Sequence, residues 1–290
     1  MGRVATPGAR GKVRHPAVAG TFYAGDPGPL HRQVLDCFRP PRGPGDLHTP
    51  SNGHERSGKP LVAGVVPHAG LVYSGPIAAH FYHLLGAEPL HPTVLLFGVN
   101  HHALGSLFSV TDEDWRTPLG VVRTDASLVE DLVGGPIELD PLAQRAEHSI
   151  EVQLPFLQVL YPQGGFSIVA LQVTFADFTE LRALGQHVAR VVRGRDVLLV
   201  ASTDLTHYLP VEEANRWDSM ALAALETLSA RRLYDTVVEN RISMCGIAPT
   251  TALLATLEGS EHRAQLLSRG TSADAEPMDQ VVGYASLAIR

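Results

Sequence analysis

Residues 61–70 read LVAGVVPHAG, an unbroken apolar run that ends on Pro67 and His68. Residues 93–102 (TVLLFGVNHH) repeat the pattern and close on Asn100, His101 and His102, while residues 196–207 (DVLLVASTDLTH) close on Thr203, Asp204 and His207. Short runs rich in branched residues and lacking polar alternation suit strands covered on both faces. Two more follow at 166–173 (FSIVALQV) and 281–289 (VVGYASLAI). Helix-length patterns lie between them at 76–85, 149–161, 179–192 and 212–228, the last running on into 231–241. Strand and helix alternate, which predicts an α/β fold with a mostly parallel central sheet flanked by helices on both faces. Pro155 should kink the 149–161 helix or delay its start, because proline removes a backbone donor.

The 290 residues are 44% hydrophobic and 18% charged, the composition of a globular chain rather than a disordered or fibrous one. Such a length buries roughly 75% of its extended surface, so it needs no disulfide framework. Its two cysteines, Cys37 and Cys245, supply none and fit a reducing compartment. Residues 39–60 and 259–279 read as surface excursions rather than domain boundaries, since apolar segments resume directly after each. The expectation is a mobile tail over residues 1–12 and a single domain over 13–290. A net charge of −7 with no Lys/Arg cluster argues against nucleic acid or an anionic membrane as partner. The basic N-terminus lacks the apolar stretch of a signal peptide, and no run approaches the 18 or so residues of a membrane span. The expected location is cytoplasmic.

In an open α/β sheet, ligands bind beyond the carboxyl ends of the strands. Three apolar runs therefore deliver a histidine to one edge: His68, His101 and His207. Any one of them alone would read as a hydrogen-bonded loop residue. Together they point to a metal, because imidazole is the commonest ligand near neutral pH and a catalytic site uses about three protein ligands with one position open. His68 and His101, at strand ends that look adjacent, form the first pair. Cys245 precedes a helix-like run at 250–257 and is a candidate third ligand, or else a small buried apolar residue. Asp204 and His207 are spaced so that the carboxylate can orient the imidazole as a general base, although Asp204 could equally cap a turn. Glu147-His148-Ser149-Ile150-Glu151 offers a further acid–base cluster, with Ser149 read first as a helix cap. Asp112 to Pro118 reads as a solvated loop, with Trp115 and Arg116 as possible substrate contacts. His80 and His83, three apart on a helix pattern, have a weak ligand spacing.

These motifs together resemble the Memo family. The resemblance rests on Ala19-Gly20-Thr21-Phe22-Tyr23, Pro67-His68-Ala69-Gly70 with Tyr73-Ser74-Gly75, Asn100-His101-His102 and Arg116-Thr117-Pro118-Leu119-Gly120. It continues through Glu147-His148-Ser149-Ile150-Glu151 with Leu154-Pro155, Ser202-Thr203-Asp204 with His207, and Cys245-Gly246. Bacterial members look like the Memo component of the AmmeMemoRadiSam gene set. The family is similar in fold to class III extradiol ring-cleavage dioxygenases, which are non-haem Fe(II) enzymes. The resemblance implies His68, His101 and Cys245 as metal ligands, Asp204 and His207 lining the pocket, and His148 close by. It implies an iron-dependent oxidoreductase acting on a small, phenolic substrate, with copper or zinc as other metals a thiolate would accept. The signalling role of animal relatives implies a second possibility, a non-catalytic pocket that binds a peptide or protein. A third reading is hydrolytic, with Cys245 as nucleophile, His207 as base and Asp204 as orienter.

Overall fold

A computed structural model describes residues 12–47 and 59–290. The tail expected over 1–12 falls almost wholly outside the described residues, as do residues 48–58 of the first surface excursion. Lys12 itself is already tied in, its carbonyl accepting from Asp114 N.

The chain opens with strand β1 (Val13–Arg14), helix α1 (Pro27–Cys37), β2 (Ala63–Val66), α2 (Leu71–Gly86) and β3 (Thr93–Val99). It continues through β4 (Phe108–Val110), β5 (Asp114–Thr117), β6 (Gly120–Val122), α3 (Ala126–Leu132), β7 (Glu138–Leu139), α4 (Leu154–Leu160) and β8 (Ser167–Val173). The remainder is α5 (Phe178–Val192), β9 (Val197–Ser202), β10 (His207–Leu209), α6 (Val211–Leu225), α7 (Ala230–Glu239), α8 (Ile247–Thr256), β11 (Ala264–Thr271) and β12 (Val281–Ile289).

The main sheet runs β10-β12-β2-β9-β3-β8-β4-β7, with β11 also paired to β12. The α/β architecture is as read, and the sheet is mixed. Its four central strands β2, β9, β3 and β8 are parallel, whereas β12 joins β2, and β4 joins β8, antiparallel. Alternate residues of β3 enter opposite cores. Leu95 and Phe97 pack with α3 and α5–α8, while Val94 and Leu96 pack with α1, α2 and α4. Both faces are therefore dry, which is why these strands lack polar alternation.

Local deviations from the sequence reading have local causes. Residues 259–279 are not merely a surface excursion: β11 lies there as an edge strand, half-exposed along most of its length and so without a continuous apolar run. Helix α2 starts at Leu71, five residues before Pro76, with the proline inside it. The Val72 carbonyl, which Pro76 cannot reach with an N–H, accepts instead from Arg42 Nη1 at 3.2 Å. Pro155 delays α4, which a single 3₁₀ turn at Glu151–Gln153 precedes. The long 212–241 pattern divides into α6 and α7 near Leu228, whose φ of +56° is left-handed. The expected acidic loop at 112–118 holds β5, in which Trp115 is fully buried with the Arg14 guanidinium 4.0 Å from its ring centroid.

Candidate metal centre

The parallel strands end in one cleft of about 490 Å³, lined by Phe22, Ala69, Gly70, Tyr208, Ser243 and Val282 together with the titratable groups described next. His68 and His101 do not come from adjacent strands, because β9 lies between β2 and β3. Their rings meet edge to face, with centroids 5.2 Å apart. His148, on the loop before the 3₁₀ turn, completes the group: its ring stacks on His101 at 4.6 Å and lies 5.3 Å from His68. One nitrogen from each of His68, His101 and His148 falls within 4.8 Å of the others.

Cys245 sits at the edge of this trio. Its Sγ is 3.3 Å from His68 Nε2 and accepts from Asp204 N at 3.3 Å. Gly246 makes the approach possible, since a Cβ there would stand 2.3 Å from Thr203 Cβ. Three imidazoles thus converge, and Cys245, the third ligand of the sequence reading, stands against His68 at their edge. The strand-end pattern could not find His148, which follows no strand; the carboxylate directly before it in Glu147-His148 was the only local signal.

Glu147, which the sequence reading placed in an acid–base cluster with His148, is fully buried and is the hub of the site. It accepts from His101 N (2.7 Å), His101 Nδ1 (2.9 Å), His148 N (2.7 Å) and Ser149 N (3.1 Å), and His148 Nδ1 lies 3.2 Å from its Oε1. Burial works to raise its pKa, but hydrogen bonds from His101 and His148 outweigh it and hold the carboxylate well below its usual range. Ser149 is not the expected cap; its hydroxyl donates to Val99 O at 2.9 Å. On the other side, His68 Nδ1 meets Ser202 Oγ at 3.0 Å. Burial, reinforced by the His148 and His101 rings, pushes His68 well below the ordinary histidine value and keeps it neutral.

Asp204 and His207 both line the cleft, but neither orients the other as expected. The Asp204 carboxylate accepts from His68 N at 2.8 Å and so braces the Pro67–Ala69 turn rather than capping a helix. Burial pushes its pKa up. The ring of His207 is held at Nδ1 by the carbonyls of Leu205 and Ser243, both at 2.8 Å. A Cys245–His207–Asp204 triad is therefore not assembled. Burial, then the Asp204 carboxylate, drives the Cys245 thiol far above its ordinary value, the opposite of an activated nucleophile. Trp115 and Arg116 line no part of the cleft. His80 and His83 contact the carbonyls of Arg42 and Asp46 and tie that loop to α2.

A family model described as Memo-like protein matches residues 14–288. The chain belongs to the Memo family. A MEMO1 family protein of Methanopyrus kandleri is 38% identical over 284 residues, covering 96% of this chain and 99% of that protein. Another from Methanocaldococcus jannaschii is 40% identical over 287 residues, covering 95% and 98%. In structure, the Memo chain is similar to an uncharacterized protein from Escherichia coli K12, with a TM-score of 0.56 over 80% of this chain and all of that one. At 16% identity that likeness concerns the fold alone.

Proposed function

We propose that this Memo-family protein is a metal-dependent oxidoreductase. It would use a non-haem iron, or copper or zinc in its place, to act on a small phenolic substrate held in the cleft. The observation that carries the reading is the convergence of three imidazole nitrogens within 4.8 Å at the floor of an open cleft, with a thiol against one of them. The donor set fits a borderline metal: His68 is neutral, the rings of His101 and His148 are anchored by a buried carboxylate, and one side stays open to the cleft. Bound there, iron or copper would supply one-electron redox chemistry, and zinc Lewis acidity.

The chain's own residues bind, orient and move protons. His68, His101 and His148 would hold the ion, and Cys245 is near enough to His68 to add a sulfur or to screen that face. Both partners of His207 Nδ1 are carbonyls, which only accept, so that nitrogen carries the proton and Nε2 is left free as a base for a substrate hydroxyl. Asp204 keeps the His68 turn in place through the backbone. Phe22, packed on the His148 ring at 4.7 Å, forms one apolar wall, and Tyr208, 69% exposed, also lines the cleft.

Metal analysis of protein purified without added metal tests the reading. Stoichiometric iron or copper that disappears in His68→Ala and His101→Ala, together with oxygen uptake on a panel of catechols, is the expected result. Metal content unchanged by either substitution overturns it.

A further inference from the structure

Hydrogen bonds around the imidazoles fix which ring nitrogens donate. Ser202 has one hydroxyl proton, and the carbonyl of Ser149, 2.6 Å away, can only accept it. Gln153 is oriented without ambiguity, since its Nε2 lies 2.9 Å from the carbonyl of Pro67 while its Oε1 accepts from Tyr82 at 2.9 Å. Its second N–H therefore donates to Ser202 Oγ, also at 2.9 Å. With its proton spent on Ser149, Ser202 Oγ must act as acceptor toward His68 Nδ1. That nitrogen carries the hydrogen, and His68 Nε2 turns a lone pair toward the cleft and toward the S–H of Cys245.

Glu147 does the same for the other two rings. Backbone N–H groups of His101, His148 and Ser149 already use both of its oxygens as acceptors, so His101 Nδ1 at 2.9 Å donates to it as well, and His148 Nδ1 lies 3.2 Å from the same oxygen. Four N–H hydrogen bonds on one buried carboxylate leave it no freedom to turn. The loop carrying Glu147 is clamped in turn by Arg14, which donates to Glu147 O at 2.5 Å, Gln144 O at 2.7 Å and Glu151 Oε2 at 2.6 Å.

We propose that Glu147 and Ser202 are positioning residues that lock all three histidines in the Nδ1–H tautomer, so that three Nε2 lone pairs face one point before any ligand arrives. This rests on the metal reading above for its purpose, though not for its geometry. Neither residue touches the ion site. Each acts through a ring, which would otherwise divide its population between two tautomers and present N–H instead of a lone pair part of the time.

The test is imidazole ¹⁵N NMR on the full-length, metal-free protein, with rings assigned from His→Ala variants, followed by titration with Zn²⁺ alone. The wild type should show protonated Nδ1 and bare Nε2 at His68, His101 and His148. In Glu147→Gln the signals of His101 and His148 should move toward the other tautomer while His68 stays, and in Ser202→Ala only His68 should move. Zinc affinity should fall by about 10–100-fold in each variant, the usual loss on removing a residue that orients a metal-ligating histidine. An Nε2–H signal at any of the three wild-type rings overturns the proposal, as do tautomers unmoved by either substitution. If Glu147→Gln fails to fold, the wild-type spectrum and Ser202→Ala decide. Locked tautomers in a wild type that binds no zinc would sink the metal reading and leave the positioning roles standing.

Discussion

Asp218 shows at one residue how burial and function meet. It lies under β12, where a Cβ on Gly283 would stand 1.9 Å from its Oδ2, and its Oδ1 accepts from Thr206 N at 2.9 Å and from the Thr206 hydroxyl. These bonds hold the turn that leads into His207. Burial pushes the Asp218 carboxyl above 3.8 although the bonds from Thr206 pull it down. A carboxyl raised in the folded state contributes stability that is complete below its unfolded value and lost as pH climbs through the folded one. Asp218→Asn retains an acceptor for Thr206 without the charge. Urea midpoints measured across pH should therefore show the variant gaining on the wild type from pH 3.8 upward, and a variant that loses ground to the wild type over that range refutes the assignment. Cys245 teaches the complementary lesson. Its place before a helix suggested an activated thiolate, but its surroundings are a buried carboxylate and a neutral histidine, which favour the protonated thiol.

At the scale of elements, the strap from β1 to α1 builds one side of the site. Arg14 and Glu151 form a buried ion pair, and Glu151 also accepts from Ala17 N (2.7 Å), Val18 N (3.0 Å) and Tyr23 OH (2.5 Å). That bundle holds the strap so that Phe22 reaches the ring of His148. Removing one member of a buried pair leaves the other charge uncompensated, which costs about 3–5 kcal/mol. Arg14→Ala should lose stability of that order in urea unfolding and should loosen the Glu147 loop, seen as faster amide exchange at residues 147–149. A loss under 1 kcal/mol would show that the strap packs independently of the pair. The strap's signal in the sequence was weak, because an isolated arginine before a short run gives no hint of a carboxylate 137 positions away.

For the whole molecule, a ligand that binds only the folded state adds stability in proportion to the logarithm of its concentration over Kd, about 2.7 kcal/mol at 100 times Kd. A metal held by residues from three separate chain segments should therefore raise the midpoint of thermal unfolding. The shift should vanish in His101→Ala. An equal shift in that variant would move the ion elsewhere. Among the described residues no helix is long and apolar enough to cross a membrane.

Strand, helix and the edge where polar residues emerge were legible along the chain, because burial on both faces writes itself into local composition and a strand end is a local event. His68, His101, Asp204 and His207 were found by that rule alone. The order β2-β9-β3, the antiparallel flanks and the half-exposed β11 were not, since pairing depends on partners far apart in sequence and leaves no periodic mark on either. Only the packed fold decided that His148 joins His68 and His101 while Cys245 stands beside them, and that Glu147 and Ser202 aim the rings. Side-chain direction at that edge is set by hydrogen bonds between distant loops, which no spacing within one segment can encode.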